Sequence, residues 1–232
     1  MAQAPKESLA VPPTEPTGPH WETGLQFERF VFFSDAVFAI AITLLVLELR
    51  LPPGSGGHVD LGELWPKLFG FLLSFFVIGA YWLNHHRLFG VIKAEDSLLR
   101  TVNLIFLASI VFLPFPTSVI AENRPSSSAV CFYAASVALV GFLMSLLVLV
   151  ARRQRFLAPG DGRGQTVHFV IYTLSAPLIF AISAVVALSQ PVLAMRMWWL
   201  VALATPLADL LGGWIERRMQ AAPSHSELQV EG

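Results

Sequence analysis

Charge is the scarcest ingredient of this sequence. Only 13% of its 232 residues are Asp, Glu, Lys or Arg, against 55% hydrophobic, and its mean hydropathy is +0.63. A soluble domain of this length carries about twice that share of charge, so the composition is that of an integral membrane protein. Fifteen basic against sixteen acidic residues leave a formal net charge of −1, without the basic excess a nucleic-acid partner selects. The single cysteine, Cys131, excludes an intrachain disulfide and a cysteine metal cluster; in its apolar run it reads as a small core residue. There is no Gly-rich phosphate loop, no Ser-His-Asp spacing and no carboxylate pair on one helix, so neither an enzyme nor a cofactor is expected. The Thr-Val-Gly-Tyr-Gly filter of ordinary potassium channels is missing too, because Val140-Gly141-Phe142 stands inside a plain apolar run. No internal repeat is visible.

What is present is a series of apolar segments, each near the roughly 20 residues that cross a bilayer. They run over about 30–49, 64–88, 98–120, 129–151, 166–188 and 193–214, which predicts six membrane-spanning helices with short connections. Residues 1–27, rich in proline and polar side chains, read as a disordered tail with no signal peptide. Residues 28–218 form the membrane domain, and 219–232 a second polar tail. Trp21, Trp65, Trp198, Trp199 and Trp214 fall near span ends, as interfacial anchors do. With the N-terminus in the cytoplasm, eleven lysines and arginines lie inside and four outside, which predicts both termini cytoplasmic.

The first segment is unusual in carrying Asp35 near its start and Glu48 near its end, since a carboxylate in a bilayer is costly and usually functional. At about 100° per residue, Thr43, Leu44 and Leu47 fall within roughly 60° of Ile40, while Ser34 and Asp35 lie on the back of the helix. Either face is a candidate for function. Glu48 is an ion-attracting mouth or a solvated helix-end charge. The alternating directions of the spans predict a polar layer in the cytoplasmic third, made of Arg29, Ser34, Asp35, His85, His86, Asn103 and Asp209. A charge at that depth needs a partner or water. Asp35 is therefore expected to anchor helices by bonding His, Asn or Trp of a neighbour, with a proton or cation site as the alternative. His85 and His86 point about 100° apart on a helix and cannot face one metal ion; bonding to Asp35 is expected instead, and His168 is a further partner to consider. Trp82 shares their face and reads as a buried donor.

Arg29-x-x-x-Phe33-Ser34-Asp35, continuing through Ala-Val-Phe-Ala-Ile-Ala-Ile-Thr-Leu-Leu-Val-Leu to Glu48, resembles the signature of the transmembrane protein 175 family, and Trp82-Leu-Asn-His-His-Arg-Leu-Phe in the second segment extends the match. The resemblance implies a potassium-permeable channel of the shorter prokaryotic type, a homotetramer whose first helices line a central pore in the cell membrane. It places the hydrophobic constriction on Ile40 and further pore-facing positions on Thr43, Leu47 and Leu44, and gives Arg29, Phe33, Ser34 and Asp35 the task of holding helices together. The stripe drawn from periodicity falls on the same residues. The expectation is thus an all-α channel for K+, with a hydrophobic gate, no cofactor and no resident metal. The alternative is a proton-coupled transporter or proton-permeable channel using Asp35 and His85 or His86.

Overall fold

The computed structural model describes residues 20–49, 61–122, 126–156 and 163–221. The Pro-rich stretch through residue 19, the loop at 52–57, the tail from 222 and the side chains of Trp21 and Glu48 lie outside the described residues. Within them the protein is all helical: α1 (His20–Leu44), α2 (Leu61–Val91), α3 (Ser97–Phe112), α4 (Pro114–Glu122), α5 (Ser127–Arg153), α6 (Arg163–Ala187), α7 (Pro191–Met197) and α8 (Val201–Ala221). A 3₁₀ turn, Leu45–Glu48, extends α1, and another, Trp198–Leu200, joins α7 to α8. These elements make six stretches long and apolar enough to cross a membrane: Leu25–Leu47, Leu64–Val91, Ser97–Ala121, Ser127–Arg153, Thr166–Ala187 and Pro191–Met219.

Two spans that read as single helices are broken. The third breaks at Leu113, between α3 and α4, because Pro114 has no amide hydrogen and its ring opposes a helical carbonyl upstream. Thr117 partly repairs the break: its backbone amide and its hydroxyl both donate to the Leu113 carbonyl. The sixth tightens into its 3₁₀ turn after only seven residues of α7. The first helix begins at His20, ahead of the membrane domain expected from residue 28.

Lipid tails are as apolar as leucine, so close packing and interhelical hydrogen bonds hold such a bundle together. The fourth span, α5, is its centre and packs against α3 and α6. Gly141 makes the α5–α6 approach possible: a Cβ there would lie 2.5 Å from Pro177 Cβ and 2.8 Å from Tyr81 Oη. Buried hydroxyls clamp the spans, with Ser74 Oγ 2.6 Å from Thr117 Oγ1 and 3.1 Å from Tyr133 Oη, and Tyr81 donating to the Val137 carbonyl. Trp198 is buried rather than interfacial, and its indole donates to Ser183 Oγ at 2.8 Å, because the 3₁₀ turn carries the ring inward. Trp65, Trp199 and Trp214 are exposed. The first span packs on α2 and α3 at the edge of the bundle.

Candidate functional site

α1 has two faces of different character. Ser34, Phe38, Ala41 and Leu45 are buried, spaced by four, three and four residues, which is the period of one helix face. Ile40, Thr43, Leu44 and Leu47 are exposed, with Ile40 56%, Leu44 37% and Leu47 58% accessible. Phe33, Ala36 and Ala39 extend the open face toward the helix start. Thr43 Oγ1 donates to the Ile40 carbonyl at 2.8 Å, so its proton is held by the helix and its lone pairs point away from that bond.

The buried face is pinned by a directed chain of hydrogen bonds through three helices. Ser34 Oγ donates to the Phe30 carbonyl at 3.1 Å, and Asn103 Nδ2 donates to Ser34 Oγ at 2.9 Å. That leaves Asn103 Oδ1 as the acceptor 2.9 Å from His85 Nε2, which assigns the ring proton to Nε2. His85 Nδ1 is buried with no hydrogen-bond partner among the described residues. Aromatic rings enclose it instead: Phe89 stacks at 4.2 Å, Phe38 lies at 5.4 Å and Phe106 at 5.7 Å. A second bond, from Trp82 Nε1 to Asp35 Oδ1 at 2.9 Å, ties α2 to α1 just beside the first.

The expected polar layer is therefore only partly assembled. Ser34, Asp35, Trp82, His85 and Asn103 come together, but Asp35 bonds tryptophan and His85 bonds asparagine, because the indole reaches the carboxylate first and the imidazole turns inward. His86 is exposed and lines a groove of about 210 Å³ with Phe27, Glu28, Val31 and Phe32. Its ring lies 5.6 Å from Trp82. Arg29 and Phe33 are exposed on α1. Asp209 belongs to a different cluster. Its Oδ1 is 2.9 Å from His168 Nε2, while His168 Nδ1 is 3.0 Å from Glu216 Oε2. Gly212 admits this ring between α6 and α8, since a Cβ there would sit 2.4 Å from His168 Cδ2. The pairing of His168 with His85 or His86 does not occur. Outside the spans, burial pushes the Glu95 carboxyl up from its ordinary value, opposed by the Arg100 guanidinium 4.0 Å away and reinforced by Asp96. Among the described residues no group of three or more His, Cys, Asp or Glu is arranged to hold a metal ion.

The Ser74–Thr117–Tyr133 clamp and the His168 cluster escaped the sequence reading. Hydroxyls carry no charge to draw attention, and His168 meets residues 41 and 48 positions away.

Set against known proteins, this architecture has clear relatives. The family described as the endosomal/lysosomal potassium channel TMEM175 matches residues 29–114, a stretch that opens at Arg29 and contains the whole α1–α2–α3 bond chain from Ser34 to Asn103. A potassium channel of Chamaesiphon minutus is 36% identical over 166 residues, 69% of this chain and 72% of that protein. A potassium channel of Streptomyces collinus is 40% identical over 122 residues, 51% of this chain and 59% of that relative's own length. The crystal structure of a lysosomal potassium-selective channel TMEM175 homolog from Chamaesiphon minutus superposes with a TM-score of 0.69 at 28% identity, over 79% of this chain and 98% of that one. The family is one of ion channels and not of enzymes. With a relative this similar across most of its length and a fold shared with a solved TMEM175 homolog, the chain belongs to the TMEM175 family.

Proposed function

We propose that this protein is a potassium-selective channel of the cell membrane, in which four copies of the chain bring their α1 helices around a central pore. One observation carries the reading: α1 fastens Asp35 and Ser34 to α2 and α3, and leaves Ile40, Thr43, Leu44 and Leu47 uncovered by its own chain. Lipid alone is a poor explanation of that open face. α8 is also open, but its exposed surface is mainly leucine, Leu203, Leu207, Leu210 and Leu211, with Ala202 as its one exposed alanine among the described side chains. α1 displays Ala36, Ala39 and Thr43 among its large side chains, and small residues are what let helices approach closely. Cyclic symmetry closes copies of one stripe around an axis. Ile40 then forms a narrow aliphatic ring that resists wetting, and an ion passing it sheds part of its water. Thr43, one turn further along, offers hydroxyl lone pairs to that ion. Asp35, Ser34, Trp82, His85 and Asn103 hold the lining helix in place and do not touch the ion. Arg29 and Phe33, exposed near the start of the same helix, complete the family's structural motif. The excess of lysine and arginine on one side supports cytoplasmic termini.

The potassium channels named above support K+ as the permeating ion. A proton relay through Asp35 and His85 or His86 is the weaker reading, because the relatives named above are potassium channels and aromatic rings wall the one free nitrogen of His85 away from water. Flux from proteoliposomes under a potassium gradient tests the proposal. Ile40→Asn lowers the dewetting barrier, so flux rises several-fold and discrimination of potassium from sodium falls. Ile42 packs against the core, so Ile42→Asn lowers stability but leaves the selectivity of the assembled fraction as it was. Unchanged flux and selectivity in assembled Ile40→Asn protein would remove α1 from the pathway.

A further inference from the structure

A groove of about 440 Å³ opens between the end of α5 and the start of α6. Its walls are apolar, from Leu149 on one helix and Val170 and Ile171 on the other, and its rim carries Arg152, Arg153 and the hydroxyl-bearing Thr166. Depth in the membrane fixes what can fill it. The fourth span ends at Arg153 and the fifth begins at Thr166, so the rim lies where hydrocarbon gives way to headgroups. Neither arginine is paired with a carboxylate among the described residues. Arg152 is half-buried beside the groove and Arg153 exposed at its lip. Two guanidiniums with no carboxylate partner among the described residues, above an aliphatic slot, match one kind of molecule, which has acyl chains below and a phosphate above. Arginine binds phosphate through a planar fork of donors.

We propose that this groove is a binding site for one anionic phospholipid, its phosphate held by Arg152 and Arg153 and its acyl chain laid along Leu149, Val170 and Ile171. The site is lined by α5 and α6 and by no residue of α1, and it depends only on the chain crossing a membrane, not on conduction. A lipid there bridges the end of α5 and the start of α6 and adds to the direct packing of the two spans.

The test uses the full chain purified in neutral detergent. Phosphatidylglycerol, phosphatidylcholine and inorganic phosphate are each titrated, with melting temperature and retained lipid by native mass spectrometry as readouts. Phosphatidylglycerol should raise the melting temperature and remain bound, phosphatidylcholine should do so much less, and inorganic phosphate not at all. Arg152→Gln with Arg153→Gln should weaken phosphatidylglycerol binding roughly thirtyfold, since each of the two basic residues near an anionic headgroup contributes on the order of 1 kcal/mol. Arg153→Gln alone, at the exposed position, gives a smaller loss and serves if the double variant does not assemble. Arg217→Gln with Arg218→Gln, in α8, should leave binding unchanged. Equal stabilisation by phosphatidylcholine, an equal shift from inorganic phosphate, or full retention of phosphatidylglycerol by the glutamine variants would each overturn the site.

Discussion

The most apolar 18-residue stretches of the first and fourth spans are alike, each with a mean hydropathy of 2.5, yet 61% of the stretch in the fourth is buried inside the chain against 22% of that in the first. Hydropathy reports that both lie in lipid. Burial reports whether the chain has supplied its own partner. α5 meets neighbours around most of its circumference and accepts Pro177 at Gly141, a site with no room for a side chain. α1 meets neighbours on one face, fastens that face with hydrogen bonds, and leaves the other for something outside the chain. In a membrane, where helices gain nothing by hiding leucine from lipid, a polar pin on one side of a span is what fixes the direction in which its other side looks.

The sharpest way to break this contrast is to pull the pin. Asn103 is both the acceptor for His85 and the donor to Ser34. Asn103→Ala strands the buried Nε2 proton of His85 and removes the tie to α1. An unpaired buried group costs about 1–3 kcal/mol, and this variant leaves one such donor together with a cavity. Melting temperature and the yield of assembled oligomer should both fall steeply, while Asn103→Asp or Gln recovers little because the geometry of two bonds is lost. Asp35→Ala, which removes only the bond to Trp82, should cost less. If Asn103→Ala assembles with the stability of the parent, the face of α1 is set by something else.

The next test concerns α5. Gly141→Ala puts a methyl group against Pro177 and Tyr81, and overpacking of this kind costs roughly 1–3 kcal/mol. The higher helix propensity of alanine, about 1 kcal/mol, offsets part of it. Gly79 on α2 is the control, because a Cβ there meets nothing within 4 Å. Gly79→Ala should stabilise the chain by up to about 1 kcal/mol. Loss of oligomer in Gly79→Ala, with the monomer fold intact, would place a second copy against that part of α2 and widen the proposed interface beyond α1.

Much of this was readable before any coordinates. Six apolar runs of the right length place six spans, since lipid imposes both length and composition. The stripe on α1 follows from helical period alone, and Ile40, Thr43, Leu44 and Leu47 do share an exposed face. What could not be read is which polar group finds which. Depth in the membrane put Asp35, His85, Asn103 and Asp209 in one layer, but depth is only one coordinate. The angular placement of α6 and α8 takes Asp209 to His168, away from α1, and that placement depends on glycines such as Gly212 whose role is spatial. Trp198 misled for a similar reason: interfacial rings and buried donors look alike in sequence until a 3₁₀ turn decides where the ring points.

The smallest expected effect lies at the ends of the same two spans. α1 ends by tightening, with the Leu49 amide reaching back to Val46 through the 3₁₀ turn. α5 ends in a reversal. Gln154 N donates to the Val150 carbonyl and Phe156 N to the Ala151 carbonyl at 3.0 Å, a C-terminal closure that needs a left-handed residue between them. Arg155 is that residue, with φ of 58°, in a place where glycine is usual. The reversal sends the Phe156 carbonyl to the Lys93 amide at 2.8 Å and so joins the end of α5 to the α2–α3 connection. A side chain in this conformation costs roughly 1–2 kcal/mol, whereas glycine adopts it freely but loses more chain entropy on folding. Arg155→Gly should therefore raise stability by at most about 1 kcal/mol, a rise in melting temperature of roughly 2–4 °C for a chain of this size. Arg155→Val, whose branched Cβ is strained there, should lower it. Equal losses in both variants would mean that the guanidinium itself holds the closure, and the end of α5 would then depend, as the buried face of α1 does, on one polar side chain.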